Sequence, residues 1–356
     1  MNTNDELLSE LARRFEWHGN NAYRGKTPQN ASPLYSHLSL EVAKDRDILA
    51  IVAGADLAQQ VSNLLFGAVH FLLLGSRQHP LREFFPDLVS SARPLQGAYP
   101  FFRDFCLKNS EEIHQLITSQ RVQTNEVGRA ACLLPAFELI SRRVERKPLA
   151  LIEIGASAGL HLRWDKYDYD YGKAGQININ NARVKLSCAP VGQQMPPIPN
   201  DFPEASSRIS IDLNPMDAYD ETAMRWLRAL IWPEHTDRTQ ALQQAIDIAQ
   251  ENPVTLLKGD AGELITDVLN QASPEATICV FHSYTLNQCS TEVRMHILAL
   301  IETFAQQRDL FRVSQGWFSG QEQPQLELFS YKGGEVRREL LAYCESHGRQ
   351  IEWLSV

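Results

Sequence analysis

The stretch LIEIGASAGLHL, Leu151 to Leu162, carries an apolar, β-rich run into Gly155-Ala156-Ser157-Ala158-Gly159 and out into a helical pattern. Small residues therefore occupy the point where the backbone must turn sharply and where a ligand can approach its amides. Two chemistries ask for such a turn. One is a nucleotide or adenosyl cofactor loop of the ExGxxxG kind, built on Glu153, Gly155 and Gly159, and the other is a GxSxG nucleophile elbow with Ser157 as the serine of a hydrolase. A tight strand-to-helix turn without a ligand is the third reading.

Downstream of this turn the texture is uniform. Candidate strands LALIEI (149–154), RISID (208–212), VTLLK (254–258), TICVF (277–281) and LFRVS (310–314) alternate with helical patterns over 218–231, 236–250, 263–271 and 291–307. Continuous apolar strands separated by helices are what a parallel sheet covered on both faces requires. Residues 148–356 are thus expected to form a Rossmann-like, doubly wound, mostly parallel α/β domain. The excursion over about 165–207, with YDYDYG (Tyr167 to Gly172), reads as a β-hairpin insertion whose tyrosines and aspartates face opposite sides. Two runs joined at Gly333-Gly334 suggest an antiparallel C-terminal hairpin, with a helix over 335–344 as the alternative.

Upstream the apolar spacing is helical, so residues 1–147 are expected to be an all-α cap domain, closed by the basic helix end before Lys147-Pro148. The apolar run Val61 to Gly75 is shorter than the roughly 20 residues of a membrane span and reads as a buried helix. The N-terminus lacks the basic-then-apolar layout of a signal peptide, which predicts a cytoplasmic protein. Among 356 residues, 34 Lys and Arg stand against 43 Asp and Glu, a formal charge of -9 that disfavours nucleic acid and anionic membranes and favours a small-molecule substrate. The six cysteines show no metal-ligand spacing, so they are expected as buried thiols and no metal is expected.

Position separates the two chemistries. An elbow serine sits mid-sheet with strands before it, yet everything before Leu149 is helical in pattern, and neither His282 nor His347 has an evident acid partner for a triad. A cofactor in an open α/β sheet instead lies beyond the carboxyl ends of the strands. Polar groups stand at each such end: Glu153 after the first strand, Asp212 after the second for ribose hydroxyls, Asp260 after the third for an adenine amino group, and His282-Ser283-Tyr284 after the fourth. His282 is the candidate base for the transferred group and Tyr284 its orienter; capping of the next helix is the competing role for Asp260. A dinucleotide fold is disfavoured because Leu160 replaces the third small residue of GxGxxG.

Several segments together resemble a bacterial family, domain of unknown function 2332: SPLY (32–35), FGAVHFLLLG (66–75), QTNEVGRAACLLPAF (123–137), IEIGASAGLHLRWDKYDYDYG (152–172) and HGRQIEWL (347–354). The resemblance runs from about Phe15 to Leu354. Its core is similar to class I methyltransferases, with a seven-stranded sheet and S-adenosylmethionine as cofactor. That likeness implies that Glu153, Gly155, Ser157 and Gly159 cradle the cofactor, with Asp212 on the ribose and Asp260 on the adenine. A non-catalytic module that binds S-adenosylmethionine or a nucleotide is the remaining alternative. In TNEVGR, Glu126 and Arg129 share a helix face, Thr124 or Asn125 serves as cap, and Arg129 is a candidate for a cofactor or substrate carboxylate. Thr124, Asn125, Glu126, Tyr35, Trp164 and Asp165 complete the candidate substrate set, the last two as an aromatic and a carboxylate for a cationic group, with packing against the insertion as their competing role.

Overall fold

A computed structural model describes residues 3–123, 125–179, 182–317 and 320–355. The helices are α1 (Thr3–Trp17), α2 (Pro33–Val42), α3 (Arg46–Ile51), α4 (Val61–Leu74), α5 (Ala98–Lys108), α6 (Ser110–Ser119), α7 (Ala130–Arg143), α8 (Glu221–Ala229), α9 (Thr236–Glu251), α10 (Ala261–Asn270) and α11 (Thr291–Ala305). The chain divides into two compact units, Met1–Thr124 with Asp220–Gln240, and Asn125–Tyr219 with Ala241–Val356. The expected division near Lys147 is therefore replaced by one after Thr124. The physical reason is that α7 lies on the sheet, with Phe137 edge-on to Phe281 and tilted against Trp164. Residues 220–240 in turn belong to the helical unit.

That unit is built around α4, apolar nearly all round and buried along most of its length. Gly67 leaves α4 smooth where Leu230 and Trp226 approach. Ser32 caps α2 by accepting from Tyr35 N, and its hydroxyl donates to Glu234 Oε2 at 2.7 Å, while Leu34 N donates to Glu234 Oε1 at 2.8 Å. His70 sits between Asp87 and the Ala229 carbonyl, at 2.8 and 3.2 Å, as a satisfied core histidine.

The second unit contains β1 (Leu149–Ile154), β2 (Asp168–Asp170), β3 (Gln176–Ile177), β4 (Lys185–Ser187), β5 (Ala189–Pro190), β6 (Ala205–Asp212), β7 (Thr255–Lys258), β8 (Thr277–Ser283), β9 (Leu310–Gly316), β10 (Gln325–Lys332), β11 (Glu335–Cys344) and β12 (Gln350–Trp353). Nine of these form one sheet in the order β5-β12-β11-β10-β9-β8-β1-β6-β7. From β9 to β7 all pairings are parallel, and β9, β10, β11 and β12 pair antiparallel in turn. Beyond the expected seven strands the sheet holds the two-residue β5, and β12, which forms within the closing run GRQIEWL that reads as strand-like in the sequence. Residues 335–344 form a strand, because Gly333 and Gly334 take positive φ of 57° and 82° and supply the two-residue turn that a twisted hairpin prefers.

Strands β1, β8 and β9 are buried almost throughout, as both-face coverage demands. On one face Ile152, Ile278 and Val280 meet Ile265 and Val268 of α10 and Ile297 and Ile301 of α11. The other face carries α7. Since β11 is parallel to β9 through β10, the turn from β11 to β12 lies at the edge where β1, β6, β8 and β9 end.

The insertion is a small sheet of order β3-β2-β4, in which the expected antiparallel hairpin β2-β3 gains β4 as a parallel neighbour. Tyr167, Tyr169 and Tyr171 all face inward, their hydroxyls donating to the carbonyls of Leu160, Trp164 and Ala131 at 2.8, 2.6 and 2.6 Å. Asp170 faces out. Asp168, however, is buried and accepts from Ile179 N at 2.7 Å, a turn contact that strand alternation does not foresee.

Candidate functional site

The turn after β1 is held in a left-handed zigzag: Gly155, Ser157 and Gly159 have φ of 75°, 53° and 65°. A Cβ on Gly155 would overlap the Thr285 side chain, so glycine is required there for space as well as for φ. Ser157 pays a steric penalty in this conformation. Its amide is compensated by Asp212 at the end of β6, which accepts from Ser157 N through Oδ2 and from Asn214 N through Oδ1, both at 2.7 Å. Arg163 fixes the exit, donating to the carbonyls of Gly159 and Asn252 at 2.7 Å each.

Beside this turn lies a connected acid-histidine network. His161 Nδ1 is 2.9 Å from Glu153 Oε1 and its Nε2 is 2.8 Å from the Glu126 carbonyl. A carbonyl only accepts, so Nε2 carries a proton, and a second proton must lie between Nδ1 and Glu153. The pair is consequently neutral as a unit. Glu153 is 1% exposed, and its other oxygen, Oε2, has no hydrogen-bond partner among the described residues. The Glu126 side chain points the opposite way along the edge, with Oε2 3.0 Å from His347 Nδ1 in the β11-β12 turn.

The segment Asn125–Arg129 is bolted to this edge from several sides. Asn125 Nδ2 donates to the Ala156 carbonyl at 2.7 Å, Glu126 Oε1 accepts from Gly128 N, and Arg129 Nε donates to the Ser346 carbonyl at 3.0 Å. The Arg129 guanidinium lies 3.9 Å over the ring of Tyr284, a cation-π contact. Burial pushes the Tyr284 hydroxyl up to about 12, which makes it a proton donor at neutral pH and not a base. Gly128 and Gly348 approach so closely that a Cβ on either would strike the backbone of the other turn.

Glu153, Gly155, Ser157, Gly159, Asp212, Asn125, Glu126, Arg129 and Tyr284 are thus gathered at one edge of one unit. Asp260 stands at the end of β7 and caps α10 by accepting from Gly262 N at 2.7 Å. The expected capping role for Asn125 falls to Glu126, because the helix begins as a short turn over Val127–Arg129 before α7. Trp164 and Asp165 are corrections. Trp164 is buried between Phe137 and Phe202, and Asp165 forms a two-pronged ion pair with Arg208 at 2.8 and 2.9 Å. Tyr35 belongs to the helical unit, stacked on Phe66 with ring centroids 4.5 Å apart, and Thr124 lies outside the described residues.

His282 is also a correction. It is buried within β8 with Nε2 accepting from Arg312 Nη1 at 3.1 Å. Burial, and then the Arg312 charge, hold its imidazole well below the ordinary range, so it stays neutral in the fold. In the unfolded chain a histidine takes up its proton near pH ~6.5. Below that pH the unfolded state binds more protons, and stability falls as pH falls, by at most about 1.4 kcal/mol per pH unit for one site. Urea titrations at pH 7.5 and 5.5 are expected to show a smaller acid-dependent loss in His282→Gln than in the wild type; equal losses exclude this residue as the source.

The residues that sequence reading missed are His161 and Arg163; His347, weighed only as a triad histidine without an evident acid partner, has one in Glu126. Among the described residues Ser157 Oγ has no hydrogen-bond partner, while both ring nitrogens of His161 are engaged elsewhere. The base contact of a serine hydrolase is therefore not formed at Ser157. Among the described residues no cluster of His, Cys, Asp or Glu is arranged to hold a metal ion, and no helix is long and apolar enough to cross a membrane.

A family model described as "Uncharacterized protein conserved in bacteria", domain of unknown function 2332, matches residues 21–353. Searches of curated proteins and of solved structures give no match.

Proposed function

The chain belongs to that bacterial family, and from this premise we propose that it binds S-adenosylmethionine and transfers a methyl group to a small molecule. The observation that carries the reading is Glu153 Oε2, buried at the carboxyl end of β1 with no hydrogen-bond partner among the described residues. An ionisable oxygen in such a place calls for a donor or a positive charge from a ligand. The sheet supports it: β1 lies between β6 and β8, where strand order reverses, and ligands of open α/β sheets bind in the crevice outside such a switch point. Five parallel strands with an antiparallel edge are also what a Rossmann-like, class I methyltransferase-like core would require. Asp212 suits ribose hydroxyls, and Leu213, 62% exposed beside it, offers an apolar face for a base.

S-adenosylmethionine, when bound, supplies a methyl group on a positively charged sulfur. The residues of this chain then have to bind, align the acceptor and take one proton. Glu153 and Asp212 bind and orient, Gly155 keeps the backbone open to close approach, and Arg129 and Tyr284 face the acceptor. The proton goes to His347, which takes the role expected of His282 and is oriented by Glu126 through Nδ1.

Calorimetric titration with S-adenosylmethionine and S-adenosylhomocysteine tests this reading. Saturable binding of both is expected, weaker by about 1.5–3 kcal/mol in Asp212→Asn, the scale of a hydrogen bond to a charged group. If the wild-type protein binds neither compound at millimolar concentration, the reading is wrong.

A further inference from the structure

Strands β8, β9 and β10 carry a polar group that methyl transfer does not use, on the sheet face turned away from Glu153. Val280 and Leu310 lie in the apolar layer under α10 and α11. Side chains alternate along a strand, so His282 shares that face on β8, and Arg312 and Ser314 share it on β9. Glu153, between Ile152 and Ile154 of the same layer, faces the other way. The register sets Arg312 opposite Phe329 of β10, and Ser314 between His282 and Glu327.

Arg312 is 5% exposed, and all its contacts are neutral. Nε donates to the Tyr331 hydroxyl at 3.2 Å, Nη1 donates to His282 Nε2 at 3.1 Å, and the guanidinium lies 3.7 Å over the Phe329 ring. Nη2 donates to nothing among the described residues, and no carboxylate among them pairs with Arg312. Glu327, the acid on this face, is engaged through Oε1 by Arg338 Nε at 2.8 Å. Two guanidinium charges therefore share one carboxylate. An arginine cannot shed its proton, and a buried charge without a counter-ion is strongly unfavourable.

Ser314 is 1% exposed, and its Oγ has no hydrogen-bond partner among the described residues. A buried hydroxyl without a partner, beside a surplus buried cation, calls for a ligand with negative charge and acceptor oxygens. The face opens where such a ligand would enter. Phe329 is only partly buried, and Arg338, its partner across β10 and β11, is exposed at the rim.

We propose that Arg312 and Ser314 form a binding site for a small oxyanion, a carboxylate or a phosphate, with Arg338 at its entrance. The planar fork of Arg312 matches two oxygens of either group, and the Ser314 hydroxyl adds a further donor. The site is independent of the cofactor reading, because Glu153 lies on the opposite face.

Urea unfolding of the full chain in phosphate, acetate or chloride at equal ionic strength tests the assignment. The wild-type midpoint is expected to rise by equal steps for each tenfold increase in phosphate or acetate through the millimolar range, and to stay fixed in chloride. A rise in phosphate alone identifies a tetrahedral group, and a rise in acetate alone a carboxylate. Arg312→Met is expected to lose the response altogether. Ser314→Ala should need about tenfold more anion, or higher still, for the same rise, the worth of one hydrogen bond to a charged group. This smaller truncation keeps the test decisive where Arg312→Met does not fold. A wild type that responds to phosphate and acetate no more than to chloride, or a response undiminished in either variant, overturns the proposal.

Discussion

Gly348→Ala is expected to lower stability by about 2–6 kcal/mol, the sum of about 1–3 for backbone strain and about 1–3 for overpacking. Gly348 has φ of 80°, and a Cβ there would overlap the Gly128 carbonyl. No flexible side chain can yield, since both groups are backbone. Relief therefore requires the β11-β12 turn to separate from Val127–Arg129, which breaks the Arg129–Ser346 and Glu126–His347 contacts together. Against a total stability of about 5–15 kcal/mol, such a loss is severe. Chemical denaturation measures it. A midpoint equal to that of the wild type means that the two turns do not meet as described.

His161→Leu is expected to cost about 3–5 kcal/mol, the range for breaking a buried ion pair on one side. The substitution leaves the Glu153 carboxylate buried without its proton partner and the Glu126 carbonyl without its donor. The second change Glu153→Gln should recover much of the loss, because it removes the stranded charge while keeping the shape. A double-mutant cycle reads this coupling. Additive losses in the cycle would mean that the two side chains do not share a proton.

The five parallel strands and the helices between them are legible because burial on both faces writes a continuous apolar run with turn residues at each end. The glycine turn is legible for a related reason, since positive φ and close approach exclude most side chains. Asp212 follows from its place at a strand end. Partners joined across the chain leave no such mark. His347 meets Glu126 from the far end of the sequence, a pairing that no local periodicity encodes. The boundary after Thr124 was hidden because α7 has the same amphipathic pattern whether it covers helices or a sheet. His282 misleads for the reverse reason: strand alternation decides which face a side chain takes, and position near the carboxyl end does not.

The return of Asp220–Gln240 to the helical unit bears on how the chain is made. On the ribosome the first 124 residues emerge without Glu234, the acceptor for Ser32 and Leu34, and without Trp226 and Leu230, which cover Gly67. The N-terminal third is thus not a self-sufficient folding unit. Its core closes only after Gln240 has been synthesised, when β1 and β6 already exist, so the helical unit is completed later than its place in the sequence implies.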